Sequence, residues 1–289
     1  MNSSDERRVK APPAALSGGV YVTPAVLYLV LLFALPLAIV AGYSFADGDL
    51  GGGLTLENYA RAFDPLYVGV LLRSAWLALA TTLLALLISY PCVLALRTLS
   101  PTRRILTLAL LVVPSWLNLL VKNYAWIILL RREGVLNSLL QGMGLTDTPL
   151  PLLFNEGAVL VGLVHTYLPF MILPLYAAVD RMDWSLVEAA RDLGAGRWRT
   201  FRHVLLPQTR VGVLVGSALV FIPTLGAFVT PDLLGGPTSL MIANVIESQV
   251  LQARDWPMAA ALSMLLVALV LLATGLLHRV TRPYPAAAE

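Results

Sequence analysis

The sequence predicts an all-α integral membrane protein with six transmembrane helices. Of its 289 residues, 58% are hydrophobic and only 13% are charged, which is about half the charged fraction of a typical soluble domain. The apolar residues gather in blocks of about twenty residues or more, the length at which a helix crosses ~30 Å of hydrocarbon. Helices are expected because a backbone surrounded by lipid must satisfy its own hydrogen bonds.

Apolar blocks define the predicted transmembrane domain. They cover residues 20–45, 66–96, 105–130, 157–179, 211–234 and 257–277. The first block is longer than the apolar core of a signal peptide, so it is interpreted as a retained helix. The chain is therefore divided into an N-terminal tail at 1–19, a six-helix domain at 20–279 and a C-terminal tail at 280–289.

The positive charges lie mainly on one side of this arrangement. Fourteen of the twenty Lys and Arg residues fall in the tails and in the connections that share their side, and four fall in the opposite connections. Because cytoplasmic connections are enriched in Lys and Arg, both tails and the connection at 180–210 are predicted to be cytoplasmic.

The connection at 180–210 has dense local signals for two short helices. Ser185 precedes Glu188 by three residues, which predicts a capping box at the start of the first helix. Gly194 suits the C-terminal cap of that helix, because glycine tolerates a positive φ. A second helix is predicted at about 197–204, and Pro207 is expected to prevent its continuation into the next crossing.

The same connection combines arginines with an apolar side. Exposed aromatic residues rimmed by arginine are typical of protein interfaces, which favours a docking surface. The alternative is a structured loop whose arginines only fix the topology. The apolar side consists of Leu186, Leu193, Trp198, Phe201 and Leu205.

This loop also carries a fixed pattern: a Glu-Ala-Ala triplet, a glycine after three further residues, and a Leu-Pro pair twelve positions beyond that glycine. The pattern resembles the EAA motif of ABC importer permeases, with Val204 where isoleucine is commonest. The resemblance implies a type I importer permease fold and a coupling helix that docks in a cleft of a cytoplasmic ATPase. The implied coupling residues are Glu188, Ala189, Ala190, Gly194, Leu206 and Pro207.

Longer stretches resemble spermidine/putrescine permeases, specifically the first of that family's two permease subunits. They are residues 118–137, 149–177, 225–236 and 252–263. The resemblance implies a bacterial inner membrane location and a polyamine as the transported solute. Another organic cation, an amino-acid derivative or an opine is the alternative, because relatives that import other solutes share these stretches.

The energy source is expected to lie outside the chain. A P-loop needs Gly-Lys followed by Ser or Thr, whereas Lys10 and Lys122 both follow valine. The resemblance implies two ATPase subunits that use ATP and magnesium, a second homologous permease and an extracytoplasmic solute-binding protein. No cofactor bound by this chain, no metal and no nucleic acid are expected.

Two other classes of membrane protein were weighed. An ion-coupled secondary transporter is disfavoured, because no Asp or Glu stands in the middle of an apolar block. An intramembrane enzyme is disfavoured, because His165 has no second histidine, acid or cysteine at a suitable spacing. His165 is therefore interpreted as a core or pore-lining residue.

A solute path is predicted around Lys122, since an ionisable residue inside an apolar block is a functional candidate. Lys122 is expected either to pair with an acid such as Asp232 or Glu247, or to line a gate. Aromatic faces and carboxylates suit an organic cation. The candidate path residues are Trp116, Asn118, Lys122, Asn123, Tyr124, Trp126, Asp232 and Glu247.

Overall fold

The computed structural model describes residues 18–48 and 53–281. In these residues the secondary structure is helical, apart from one isolated β-bridge between Ala46 and Leu54. The predicted tails therefore fall largely outside the described residues. The helices are α1 Gly18–Leu29, α2 Leu35–Ser44, α3 Glu57–Ala62, α4 Pro65–Arg97, α5 Pro101–Val112, α6 Leu119–Leu130, α7 Val135–Gly142, α8 Glu156–Asp180, α9 Ser185–Asp192, α10 Arg197–Thr200, α11 Leu206–Leu225, α12 Val229–Gly235, α13 Ile242–Ser248 and α14 Trp256–Thr281.

Five helical stretches of the described chain are long and apolar enough to cross a membrane, and a bent pair makes a sixth when it is counted as one span. This agrees with the six predicted blocks. The third block, however, is not a continuous helix: the helices on either side of Leu117 and Asn118 meet at 98°. Pro114 lies in a short 3₁₀ turn, and the Asn118 side chain caps α6 by accepting from Leu120 N at 2.8 Å.

The core of the bundle is formed by α4, α8 and α11, which pack on one another. Close packing of α8 and α11 depends on glycine. An added Cβ at Gly212 would lie 2.5 Å from Ala178 Cβ and 2.7 Å from the Pro174 carbonyl oxygen. The two helices therefore approach more closely than a larger side chain at this position allows.

The fifth block is also broken. Helix α11 ends at Leu225 with Gly226 as its C-cap, and α12 follows after a short irregular segment. Gly236 then reverses the chain with φ +66°. Glycine and proline therefore break the outer end of this block, and the apolar block at 211–234 forms a discontinuous span.

After this turn the chain forms α13, Ile242–Ser248, which is extended by a π-helical turn, Gln249–Ala253. It packs into the bundle, because Met241 and Ile242 are buried and Ile242 N donates to Ser74 Oγ at 2.8 Å. The irregular backbone between α12 and α13 thus lies against protein, as backbone in an apolar layer requires.

Candidate coupling site and solute path

The first helix of the 180–210 loop begins with a cap other than the predicted one. Asp183 accepts from Ser185 N at 3.0 Å and from Ser185 Oγ at 2.7 Å. Ser185 is the first residue of α9, and no side chain caps the helix from position 184. The predicted Ser185–Glu188 capping box is therefore wrong, because Glu188 N donates to the Trp184 carbonyl at 3.1 Å instead of to the Ser185 hydroxyl oxygen. Glu188 is left exposed.

The turn after α9 is as predicted. Gly194 has φ +78°, and its N–H donates to the Arg191 carbonyl at 2.9 Å. The N–H of the next residue, Ala195, donates to the Ala190 carbonyl at 3.0 Å. These two bonds satisfy carbonyls at the end of the helix, as in a glycine C-cap. An added Cβ at Gly194 would meet no atom of this chain within 4 Å.

The second helix of the loop continues directly into the fifth span. Helix α10 passes through a π-helical turn, Phe201–Leu205, into α11. The expectation that Pro207 prevents continuation is wrong. The wider turn immediately before Pro207 gives room for a ring that would otherwise collide with the carbonyl four residues earlier. As a result, α10, the π-helical turn and α11 form one continuous helical stretch.

The loop is also anchored to the second span, α4. The Arg97 guanidinium carbon lies 3.5 Å from the centroid of the Trp184 ring. The Tyr90 ring contacts Phe201 edge-on at 4.9 Å between centroids, and its hydroxyl is 2.7 Å from Thr209 Oγ1. Sequence reasoning missed Tyr90 and Arg97, because no pattern along the chain indicates a cross-helix contact.

The loop exposes large apolar side chains on its surface. Leu193 is 89% exposed and Trp198 is 72% exposed. Phe201 is half-buried, since it packs on Tyr90 and stacks on Trp198 at 5.5 Å between centroids. Leu193 lines a groove of about 420 Å³. The other residues that line it are Ala190, Ala195, Arg199, Thr200, His203 and Val204.

Part of the predicted solute path comes together on α6. Lys122 is only 8% exposed and Asn123 is fully buried. Asn123 Nδ2 donates to Thr230 Oγ1 of α12 at 3.2 Å. Trp126 Nε1 donates to His165 Nδ1 of α8 at 3.2 Å. Asn123 and Trp126 thus connect the broken third span to the fifth and fourth spans, and Lys122 lies on the same helix.

Among the described residues, the other candidates form no ion pair or side-chain hydrogen bond with the Lys122 side chain. Trp116 and Tyr124 are exposed on the surface of the chain, and Asn118 serves as the cap of α6. Asp232 and Glu247 are exposed. Among the described residues, Lys122 forms no ion pair with either acid.

Two ion pairs tie the helices together at the end opposite the loop. Arg61 of α3 contacts Asp255 beside α14 at 2.7 Å, and this hydrogen bond raises the pKa of Arg61 above its ordinary value. Arg73 of α4 contacts Glu156 at the start of α8 at 3.1 Å. Both pairs are partly exposed, so each contributes little stability and serves mainly to fix the register of the helices.

Residues 104–282 match the family of binding-protein-dependent transport system inner membrane components. Because the match covers more than half of the chain, the protein belongs to this family and is a membrane-spanning transport component. In the described residues no group of three or more His, Cys, Asp or Glu side chains is placed to hold a metal ion.

Named relatives are similar over nearly the whole chain. The spermidine/putrescine transport system permease protein PotB of Salmonella typhimurium is 43% identical over 251 residues, which are 86% of this chain and 88% of the relative. The PotB protein of Haemophilus influenzae is 39% identical over 267 residues, which are 90% of this chain and 93% of the relative.

A solved structure shares the fold. It is a bacterial ABC transporter involved in the import of the acidic polysaccharide alginate, and the matched chain is 17% identical. The TM-score is 0.65, and the match covers 91% of this chain and 95% of that chain. At this identity the likeness shows the ABC importer permease fold alone.

Proposed function

We propose that this chain is the permease subunit of an ATP-driven importer that carries a polyamine, spermidine or putrescine, into the cytoplasm. The observation that carries the proposal is the 43% identity to a spermidine/putrescine permease over 86% of the chain. The exposed Glu188 and the open Gly194 turn support it, because they leave the EAA-like motif accessible to a partner.

The proposed assembly contains a second homologous permease, two ATPase subunits that use ATP and magnesium, and an extracytoplasmic solute-binding protein. The ATPases would dock at the loop end of the bundle. The distribution of Lys and Arg supports a cytoplasmic position for that end. The opposite end, with the Arg61–Asp255 pair, would face the binding protein.

The proposed coupling runs from the loop into three spans. Movement of α9 and α10 would pass to α8 and α11 through the chain itself. It would pass to α4 through Arg97 on Trp184 and Tyr90 on Phe201. Rigid-body motion of this kind can switch a helix bundle between two global states.

The Arg97 contact provides a test of this coupling. We expect Arg97→Gln to lower ATP-dependent uptake about twofold to fivefold while the complex still assembles and hydrolyses ATP, because Arg97 is exposed and a cation–π contact at an exposed site is worth ~0.5–1 kcal/mol. Uptake and ATP hydrolysis would be measured on the same membranes. Arg103→Gln is the matched control, since Arg103 is exposed and its side chain forms no hydrogen bond, ion pair or cation–π contact with the described residues. Equal uptake in the two variants would contradict a role for Arg97.

The solute path is proposed to follow the predicted residues, with Asp232 and Glu247 as exposed acids that attract an organic cation. We expect Asp232→Lys and Glu247→Lys each to raise the KM for spermidine several-fold, because a like charge repels the solute. Asp147→Lys is the control, as Asp147 is an exposed acid outside the proposed path. Transport kinetics identical to the wild type in both path variants would remove the acids from the path.

The substrate assignment is tested in cells that lack the gene and any redundant polyamine importer. We expect loss of high-affinity uptake of labelled spermidine and putrescine at low external concentration, with recovery when the wild-type gene returns. Unchanged uptake would overturn the polyamine assignment. The family assignment would stand, and the same cells would then be tested with other organic cations, amino-acid derivatives and opines.

A further inference from the structure

Lys122 stands in an unfavourable setting. It lines a cavity of about 140 Å³ whose walls are mainly leucine, isoleucine and proline side chains from α5, α8 and the 3₁₀ turn between α5 and α6. The residue is 8% exposed, so most of its length is covered by apolar side chains of this chain. A charged group held among apolar side chains without a partner is unfavourable.

No described acid compensates this charge. The ion pairs within 4 Å among residues 18–48 and 53–281 involve Arg61, Arg73 and Arg104. Lys122 also occupies the first turn of α6, a helix of twelve residues. The positive end of the helix dipole lies there, so the lysine adds to a positive potential.

The second polar group in the cavity is also a hydrogen-bond donor. His165 Nδ1 accepts from Trp126 Nε1 at 3.2 Å. The proton of the neutral ring is therefore on Nε2, which leaves a donor. The Ser115 hydroxyl donates to the Val112 carbonyl at 2.6 Å and has no proton left for a ligand.

We propose that Lys122 and His165 form a binding site for one monovalent anion. The anion is either a carboxylate of the second permease subunit or a free chloride ion. Access for either is available, because the His165 ring is exposed on the surface of this chain. The carboxylate source rests on the proposed function, which supplies the second permease, whereas the chloride source does not.

The test uses the complex purified from its own membranes through a tag on this chain. Its melting temperature would be measured in sodium chloride and in sodium gluconate at equal ionic strength, for the wild type, Lys122→Met and Lys122→Arg. Polyamine uptake is not the readout, so the result is independent of the substrate assignment.

Two results support the site and separate its sources. A rise of about 3 °C in chloride in the wild type and in Lys122→Arg, absent in Lys122→Met, shows a free anion. Loss of the second permease from purified Lys122→Met, with retention in Lys122→Arg and no chloride effect, shows a carboxylate of that subunit. The proposal is overturned when Lys122→Met matches the wild type in melting temperature, chloride response and subunit content.

Discussion

Replacement of Gly194 with valine is expected to reduce ATP-dependent uptake by more than about tenfold while the protein still inserts into the membrane. Gly194 has φ +78°, a conformation that costs a β-branched residue roughly 1–2 kcal/mol or more. The turn would therefore relax and displace α9 from α10. The added side chain would also stand on the surface that the EAA-like motif presents to the proposed ATPase.

Two further variants separate these causes. Gly194→Asn adds a side chain that tolerates a positive φ, so it tests bulk at the docking surface with less backbone strain. Gly196→Ala is the matched control, because Gly196 has φ −65° and an added Cβ there meets no atom within 4 Å. We expect near-normal uptake in Gly196→Ala. Uptake in Gly194→Val that equals the wild type, at equal amounts of protein, would contradict the coupling role of the loop.

The Gly212→Leu variant is expected to prevent the bundle from assembling correctly. The first added atom would lie 2.5 Å from Ala178 Cβ and 2.7 Å from a backbone oxygen of α8, so the helices must separate. Overpacking of this kind costs ~1–3 kcal/mol or more. Helix α8 leads into the coupling loop and α11 leads out of it, so separation of the two helices would also displace the loop.

The measurement is the amount of monodisperse protein extracted from membranes, together with its melting temperature. Gly69→Leu is the control, since Gly69 is also in a long span and an added Cβ there meets nothing within 4 Å. We expect little extractable Gly212→Leu and near-normal Gly69→Leu. Wild-type yield and melting temperature in Gly212→Leu would contradict the close packing of the two helices.

The membrane crossings could be predicted from the sequence, because the length and hydropathy of a segment can be read without knowing which helices pack against it. The Gly194 turn could be predicted for a similar reason, since a positive φ favours glycine wherever it occurs. The break near Asn118 was missed, although Pro114 and a helix-capping asparagine are local signals that could have revealed it. Within a run of apolar residues, the hydropathy signal outweighed them.

Tertiary contacts could not be predicted in this way. The predicted capping box is absent because α9 begins at Ser185 itself, and Glu188 N donates to the Trp184 carbonyl one position earlier. The ring contact between Arg97 and Trp184 joins residues 87 positions apart, and nothing in either local sequence indicates it. For Lys122, the sequence showed a charged residue inside an apolar block. Only the packing of α5, α6 and α8 shows that no described acid forms an ion pair with it.

The most direct test of the central claim is transport by the purified complex in proteoliposomes. Labelled spermidine and the solute-binding protein would be supplied outside, with ATP and magnesium trapped inside at the loop end of the permease. We predict that spermidine accumulates against its gradient only when both ATP and the binding protein are present, and that the Gly194→Val complex fails to accumulate it. Accumulation that is equal with and without ATP would contradict the account.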